Sequence, residues 1–167
     1  MPDAPAPAIP EHRRLEGPRE YEQALNTIIQ QARHSLHIFD YNLRNEGYNS
    51  QERSELLQHF LHLNRSNRLT IVLHDTGYLT RECPRMLNLI RLFGHAIDIY
   101  QTTDEARGVS DPFVIADSEH YLHRFHYDHP RAVLSLNDKE GALELVRRFN
   151  EIMAASEPAA PPTTLGL

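Results

Sequence analysis

A chain of 167 residues can bury one real core but is short for two domains, since a domain of about 150 residues hides roughly 70% of its unfolded surface. Its 17 Lys and Arg stand against 23 Asp and Glu, a formal charge of −6 with neutral histidines, which argues against nonspecific nucleic-acid binding through phosphates. The single cysteine, Cys83, excludes an internal disulfide, no apolar run approaches the roughly 20 residues of a membrane span, and the opening MPDAPAPAIPEHRR has no apolar leader core, so a cytoplasmic protein is expected.

Residues 1–14 and 157–167 are rich in Pro, Ala and Thr and read as tails around one domain over 15–156. Pro18 suits a first helical turn, and Tyr21, Leu25, Ile28, Ile29 and Ala32 follow at helical spacing. A second helix opens with Asn49 and Glu52 in capping-box register and carries Leu56, Leu57, Phe60, Leu61 and Leu63. The third runs from Cys83 and Pro84 through Met86, Leu87, Leu89, Ile90 and Phe93 to Gly94, which is read as a left-handed end. Asn137 and Glu140 repeat the capping signal before a last helix striped by Leu143, Val146, Phe149, Ile152 and Met153.

Between the helices lie runs short enough for buried strands: 35–40, 69–74, 96–101, 112–117, 121–126 and 132–136. The first three alternate with helices, which implies parallel pairing; 112–117 and 121–126 read as a hairpin or meander. The expected fold is α/β, a mixed and mostly parallel sheet flanked by helices.

Ligands of open α/β sheets sit beyond the carboxyl ends of parallel strands, so the residues at the strand exits are the candidate ligand groups. They are Asp40, Tyr41 and Asn42; His74 and Asp75; and Gln101, Thr102 and Thr103, with Arg107 close behind. With Arg53 they are expected to meet on one rim able to hold a small anion, against the simpler reading that strand ends are polar because they meet water. His120, His123, His126 and His129 are spaced along a strand too widely to surround one metal ion, and no metal or other cofactor is expected. Glu55, His59 and His62 stack on one helix face, opposite the apolar stripe and expected in water. Cys83, at a helix start, is read as a packed residue beside Met86 or Leu87 rather than a nucleophile.

From about Tyr21 to Ser156, the order of a helix, a strand after the Ala32-x-x-Ser35-Leu36 pattern, two βα units, an apolar strand ending in Asp117 and a final helix resembles half of a phospholipase D superfamily domain, of the kind found in small bacterial proteins. The resemblance implies a motif H-x-K-x-x-x-x-D, in which the histidine attacks phosphorus and the lysine holds phosphoryl oxygens. Aligned on Asp117, the histidine position falls on Ser110 and the lysine position on Pro112, neither able to do that work. The later G-S/T-x-N signature has no clear counterpart, with Ser135, Leu136 and Asn137 in its region. The expectation is therefore a catalytically inactive domain, a binding or interaction module. Its remnant rim is Asp40, Arg53, His74, Asp75, Arg107, Asp117, Arg124 and His126, with Asp117 orienting Arg107 or Arg124. A homodimer, a small phosphorylated ligand or a protein are the partners the resemblance implies; the rival is a phosphodiesterase or phosphatase rebuilt around His74 and His126.

Overall fold

The structure is a computed structural model that describes residues 8–159. In chain order its elements are β1 (Glu11–Leu15), α1 (Pro18–Gln31), β2 (Ser35–Asp40), α2 (Gln51–Leu63), β3 (Arg68–Leu73), α3 (Gly77–Glu82), α4 (Pro84–Leu92), β4 (Ile97–Thr102), β5 (Phe113–Ala116), β6 (His120–Arg124), β7 (Ala132–Leu136), α5 (Lys139–Ala154) and β8 (Ser156–Pro158). The strands form a single sheet in the order β1-β7-β6-β5-β2-β3-β4-β8.

The fold is the α/β arrangement of a mixed sheet flanked by helices, but parallel pairing is confined to β2–β3 and β3–β4, and every other neighbour is antiparallel. The sheet is thus not mostly parallel. The difference has a local cause. The βα units end at β4, after which β5, β6 and β7 are joined by connections too short for a crossover, so they pair antiparallel. The β5–β6 turn is tight enough to put Asp117 and Ser118 at φ 57° and 56°.

Each face is covered by helices whose periodicity is plain in the sequence. Ile28 of α1, Leu57 and Phe60 of α2 and Met86 and Leu89 of α4 pack on Leu36, Ile38, Leu69 and Ile71 on one side. On the other, Leu145, Phe149 and Ile152 of α5 pack on Phe39, Val72, Phe113 and Ile115. The stripe of α5 is shifted from expectation: Leu143 is exposed, and Ala142 and Leu145 take the buried positions.

Both capping signals are displaced by one residue. Ser50, not Asn49, caps α2 by accepting the Arg53 N–H, while Asn49 accepts from the Arg85 backbone. Asp138, not Asn137, caps α5 by accepting from Gly141 N–H, and Asn137 instead takes φ 58°. Gly94 is not left-handed; among the described glycines only Gly47, at φ 75°, is.

The folded unit also extends past its expected limits. Glu11–Leu15, inside the expected N-terminal tail, pairs antiparallel with β7, and Ser156–Pro158 adds an edge strand to β4. Of the β1 side chains only Leu15 is buried, so the strand is held by main-chain bonds that leave no apolar alternation in the sequence. The remaining tail positions, 1–7 and 160–167, lie outside the described residues. Among the described residues no helix is long and apolar enough to cross a membrane.

Candidate functional site

The carboxyl ends of β2, β3 and β4 open on a cleft of about 340 Å³ lined by Tyr41, His74, Asp75, Gln101, Arg107 and Tyr127. Five of the residues expected at the strand exits, Tyr41, His74, Asp75, Gln101 and Arg107, are brought together here. Tyr41 leaves β2 and meets Tyr127 from the segment after β6, their ring centroids 4.9 Å apart, so two aromatic rings wall one side. Gln101 Oε1 accepts the Thr76 hydroxyl at 2.8 Å, which leaves its amide nitrogen as the group able to donate inward. Arg107 is exposed and among the described residues pairs only with the Asp104 carboxylate, at 3.9 Å, so its charge is essentially uncommitted.

His74 is buried and fully engaged. Its Nε2 lies 2.6 Å from the Val109 carbonyl, which can only accept, so Nε2 carries the proton and donates. Its Nδ1, 2.6 Å from Thr102 Oγ1, then accepts from the hydroxyl. The ring ties the ends of β3 and β4 to the loop before β5, and neither nitrogen is left to attack or to protonate a ligand.

Asp40, Arg53 and Arg124 leave the rim for a buried cluster beside it. Arg53, 2% exposed, donates to Asn26 Oδ1, the Glu46 carbonyl and the Glu22 carbonyl, and lies over the Tyr48 ring. Arg124 donates to the His129 carbonyl, reaches Glu46 Oε1 at 3.3 Å and lies over the Tyr21 ring. Asp40 accepts from Leu43 N–H at 2.7 Å. Burial, and then the neighbouring Asp40 carboxylate, push Glu46 up to about 8, and burial pushes Asp40 up as well. These groups hold one another and do not face the cleft. Glu46 was absent from the expected set; its one signal is the Asn45-Glu46-Gly47 turn, whose Gly47 bends the chain back over β2.

Asp117 stands at the opposite end of the sheet. β5 runs antiparallel to β2 with Ala116 opposite Leu36, which puts Asp117 at the start of β2, about 17 Å along the strand from Asp40 at roughly 3.3 Å per residue. Its carboxylate accepts the backbone N–H groups of Arg33, His34 and Ser35 at 2.8, 2.7 and 3.0 Å. It therefore fixes the α1–β2 turn and orients neither Arg107 nor Arg124. Ser110 and Pro112, the positions aligned with the motif's histidine and lysine, contribute carbonyls: Ser110 accepts from Tyr127 N–H and Pro112 from Arg124 N–H, both at 2.9 Å, tying the segment before β5 to the end of β6 and the turn after it.

The histidine run disperses, because β6 ends at Arg124 and His126 falls in a turn rather than on the strand. His126 Nδ1 accepts from Asp128 N–H and its ring stacks on Tyr127, behind the cleft lining. His120 accepts from Asn137 N–H, and His123 meets Asp111 at 2.8 Å, where Arg148 also engages both carboxylate oxygens. Burial opposes ionisation of Asp111, but Arg148 and His123 hold its carboxyl well below the usual carboxylate range. Glu55, His59 and His62 are exposed on α2 as their spacing predicts, and Cys83 is buried, its thiol pushed up by burial. Tyr127 was not anticipated as a lining residue, because nothing in a His-rich segment distinguishes the ring that turns toward β2.

The family model of a domain of unknown function, DUF7931, matches residues 17–161. No curated protein matches the sequence. Among solved structures the chain is similar to Nuc, a phospholipase D family member from Salmonella typhimurium, with TM-score 0.67 and 16% identity over 90% of this chain and 99% of that one. It is similar to NucT from Helicobacter pylori, with TM-score 0.59 and 12% identity over 90% and 100% of the two chains. It also resembles phosphatidylserine synthase of Haemophilus influenzae Rd KW20, with TM-score 0.63 and 12% identity over 95% of this chain and 42% of that one. At these identities the likeness is one of fold, and the fold is phospholipase D-like.

Proposed function

The chain belongs to the DUF7931 family, and on that premise we propose that it is a catalytically inactive phospholipase D-like domain, a binding module that takes a small anion in the cleft. The observation that carries this reading is the absence of an available histidine nucleophile there: Ser110 and Pro112 stand where the family has its histidine and lysine, and both nitrogens of His74 are spent on Val109 and Thr102. What remains is recognition. Arg107 supplies an uncommitted charge, Gln101 a donor, and Tyr41 with Tyr127 a pair of ring faces for an apolar or planar part of the ligand. The rival, a hydrolase rebuilt around His74 and His126, gains no support from their placement. The module is inferred to work in the cytoplasm, where one buried cysteine needs no partner, and a second copy docking over the cleft would give a homodimer.

The test is a thermal-shift screen of the full chain against inorganic phosphate, nucleotides and phospholipid head groups, run in parallel with Arg107→Ala. A ligand at 100 times its Kd stabilises by about 2.7 kcal/mol, a shift of roughly 5–10 °C for a chain of this size. We expect at least one phosphate-bearing compound to raise Tm in the wild type, with the shift lost in Arg107→Ala. No shift from any of them, or an equal shift in the variant, would overturn the reading.

A further inference from the structure

The loop from Tyr41 to Ser50 is closed over two adjacent buried carboxyl groups, and one carboxyl oxygen there has no partner among the described residues. Asp40 and Glu46 are 5% and 6% exposed. Among the described residues Arg124 from β6 is the one cation in direct contact with them, through Glu46 Oε1 at 3.3 Å; the donors of Arg53 from α2, in the same cluster, go to neutral acceptors, one of them the Glu46 carbonyl. Tyr21 from α1 and Tyr48 from the loop complete the surroundings, and burial raises both phenols, so each stays neutral. Glu46 Oε2 is buried with no hydrogen-bond partner, although its carboxyl faces that of Asp40. Two ionised carboxylates facing each other repel and leave Glu46 Oε2 without a partner, whereas a proton held between them satisfies the orphaned oxygen and removes that repulsion.

We propose that one proton shared between Asp40 and Glu46 latches the 41–50 loop, and that its loss as pH rises releases the loop and with it the Tyr41 wall of the cleft. The loop is prepared for release. Leu43 sits at φ 69°, a conformation L side chains resist, and is held there by its N–H bond to Asp40. Tyr41 directly follows Asp40; its carbonyl accepts the Asp75 N–H at 2.9 Å, so it is the seating of its ring against Tyr127 that a relaxed turn would loosen. The sign follows from linkage. Glu46 holds its proton up to about 8 in the closed loop against an ordinary value of 4.5, so opening is coupled to proton loss across that interval and levels off above it. At full coupling each pH unit within the interval multiplies the open population by about ten.

The consequence for a ligand rests on the binding reading given above; the latch itself does not, and can be read with no ligand present. Hydrogen exchange of the 41–50 amides is compared in the full-length wild type and in Glu46→Gln, whose neutral amide replaces the protonated acid and does not titrate. Comparing the two at each pH cancels the intrinsic pH dependence of exchange. We expect the wild-type-to-variant ratio of opening to rise roughly tenfold or more between about pH 6 and pH 8. Equal pH dependence in the two proteins would overturn the latch. If Glu46→Gln does not fold, the Glu46 side-chain carboxyl 13C resonance of the wild type decides: movement centred near pH 8 supports the latch, and movement in the ordinary carboxylate range overturns it.

Discussion

Asp117, on which the expected motif was aligned, has a geometry that predicts a purely structural role. Its carboxylate accepts three backbone N–H groups at the α1–β2 turn, and water can reach the site because Asp117 is only half-buried. With each bond contributing a net ~0.5–1.5 kcal/mol, Asp117→Ala should cost about 2–4 kcal/mol. Asn can offer one oxygen, enough for the His34 and Ser35 contacts made by Oδ1, but presents an amide to Arg33 N–H; its cost should be nearer ~1 kcal/mol. Gly loses all three bonds but relaxes the backbone at φ 57°, so it should fall between the two, recovering roughly 1 kcal/mol relative to Ala. Urea unfolding of the three variants reads this order directly, and the Ala variant should melt roughly 5–15 °C below wild type. The reasoning is refuted if Asp117→Ala lies within about 0.5 kcal/mol of wild type, the spread of an ordinary surface change. It is equally refuted if the variant stays stable yet loses ligand binding at the cleft, about 17 Å away along β2.

Two further outcomes are expected. Asp111→Asn should lower stability at neutral pH by about 1–2 kcal/mol, discounted for solvent screening at the partly exposed Arg148. Because Asp111 is held below its unfolded value, its contribution is present above about pH 4 and fades as pH falls through the folded value, so wild-type and variant urea midpoints should converge in acid. His74→Ala should cost about 2–4 kcal/mol in the same assay, since it opens a cavity and orphans the buried Thr102 hydroxyl and the Val109 carbonyl; an undiminished midpoint would show that the imidazole is not the tie we describe.

The frame was legible where side-chain periodicity does the work. The apolar runs of β2, β3 and β5 and the stripes of α1 and α2 state their own burial, and the short spacing of β5 and β6 announces a hairpin. What escaped has little pattern to offer. β1 and β8 are held by main-chain pairing with almost no buried side chain, and α3 is a single short helix of 6 residues that begins at a glycine. The site was half legible for a related reason. Topology places strand exits on one edge, which gathers Tyr41, His74, Asp75, Gln101 and Arg107 around one cleft, yet it does not say which way a loop folds back. The 41–50 loop folds over Asp40 and buries Glu46 with it, which withdraws Asp40, Arg53 and Arg124 from the rim into an internal ion cluster. Asp117 was expected at the rim by the same limit, since its place after an apolar strand is visible in sequence but the antiparallel register that carries it to the far end of β2 is not.

The central claim is recognition of a phosphate-bearing ligand without turnover, and 31P NMR reads both in one tube. Incubated with bis(p-nitrophenyl) phosphate, the full chain is predicted to shift or broaden the diester line, to do so less after Arg107→Ala, and to generate no monoester line above the buffer rate. A monoester line that grows with protein concentration and disappears in His74→Ala would contradict the account.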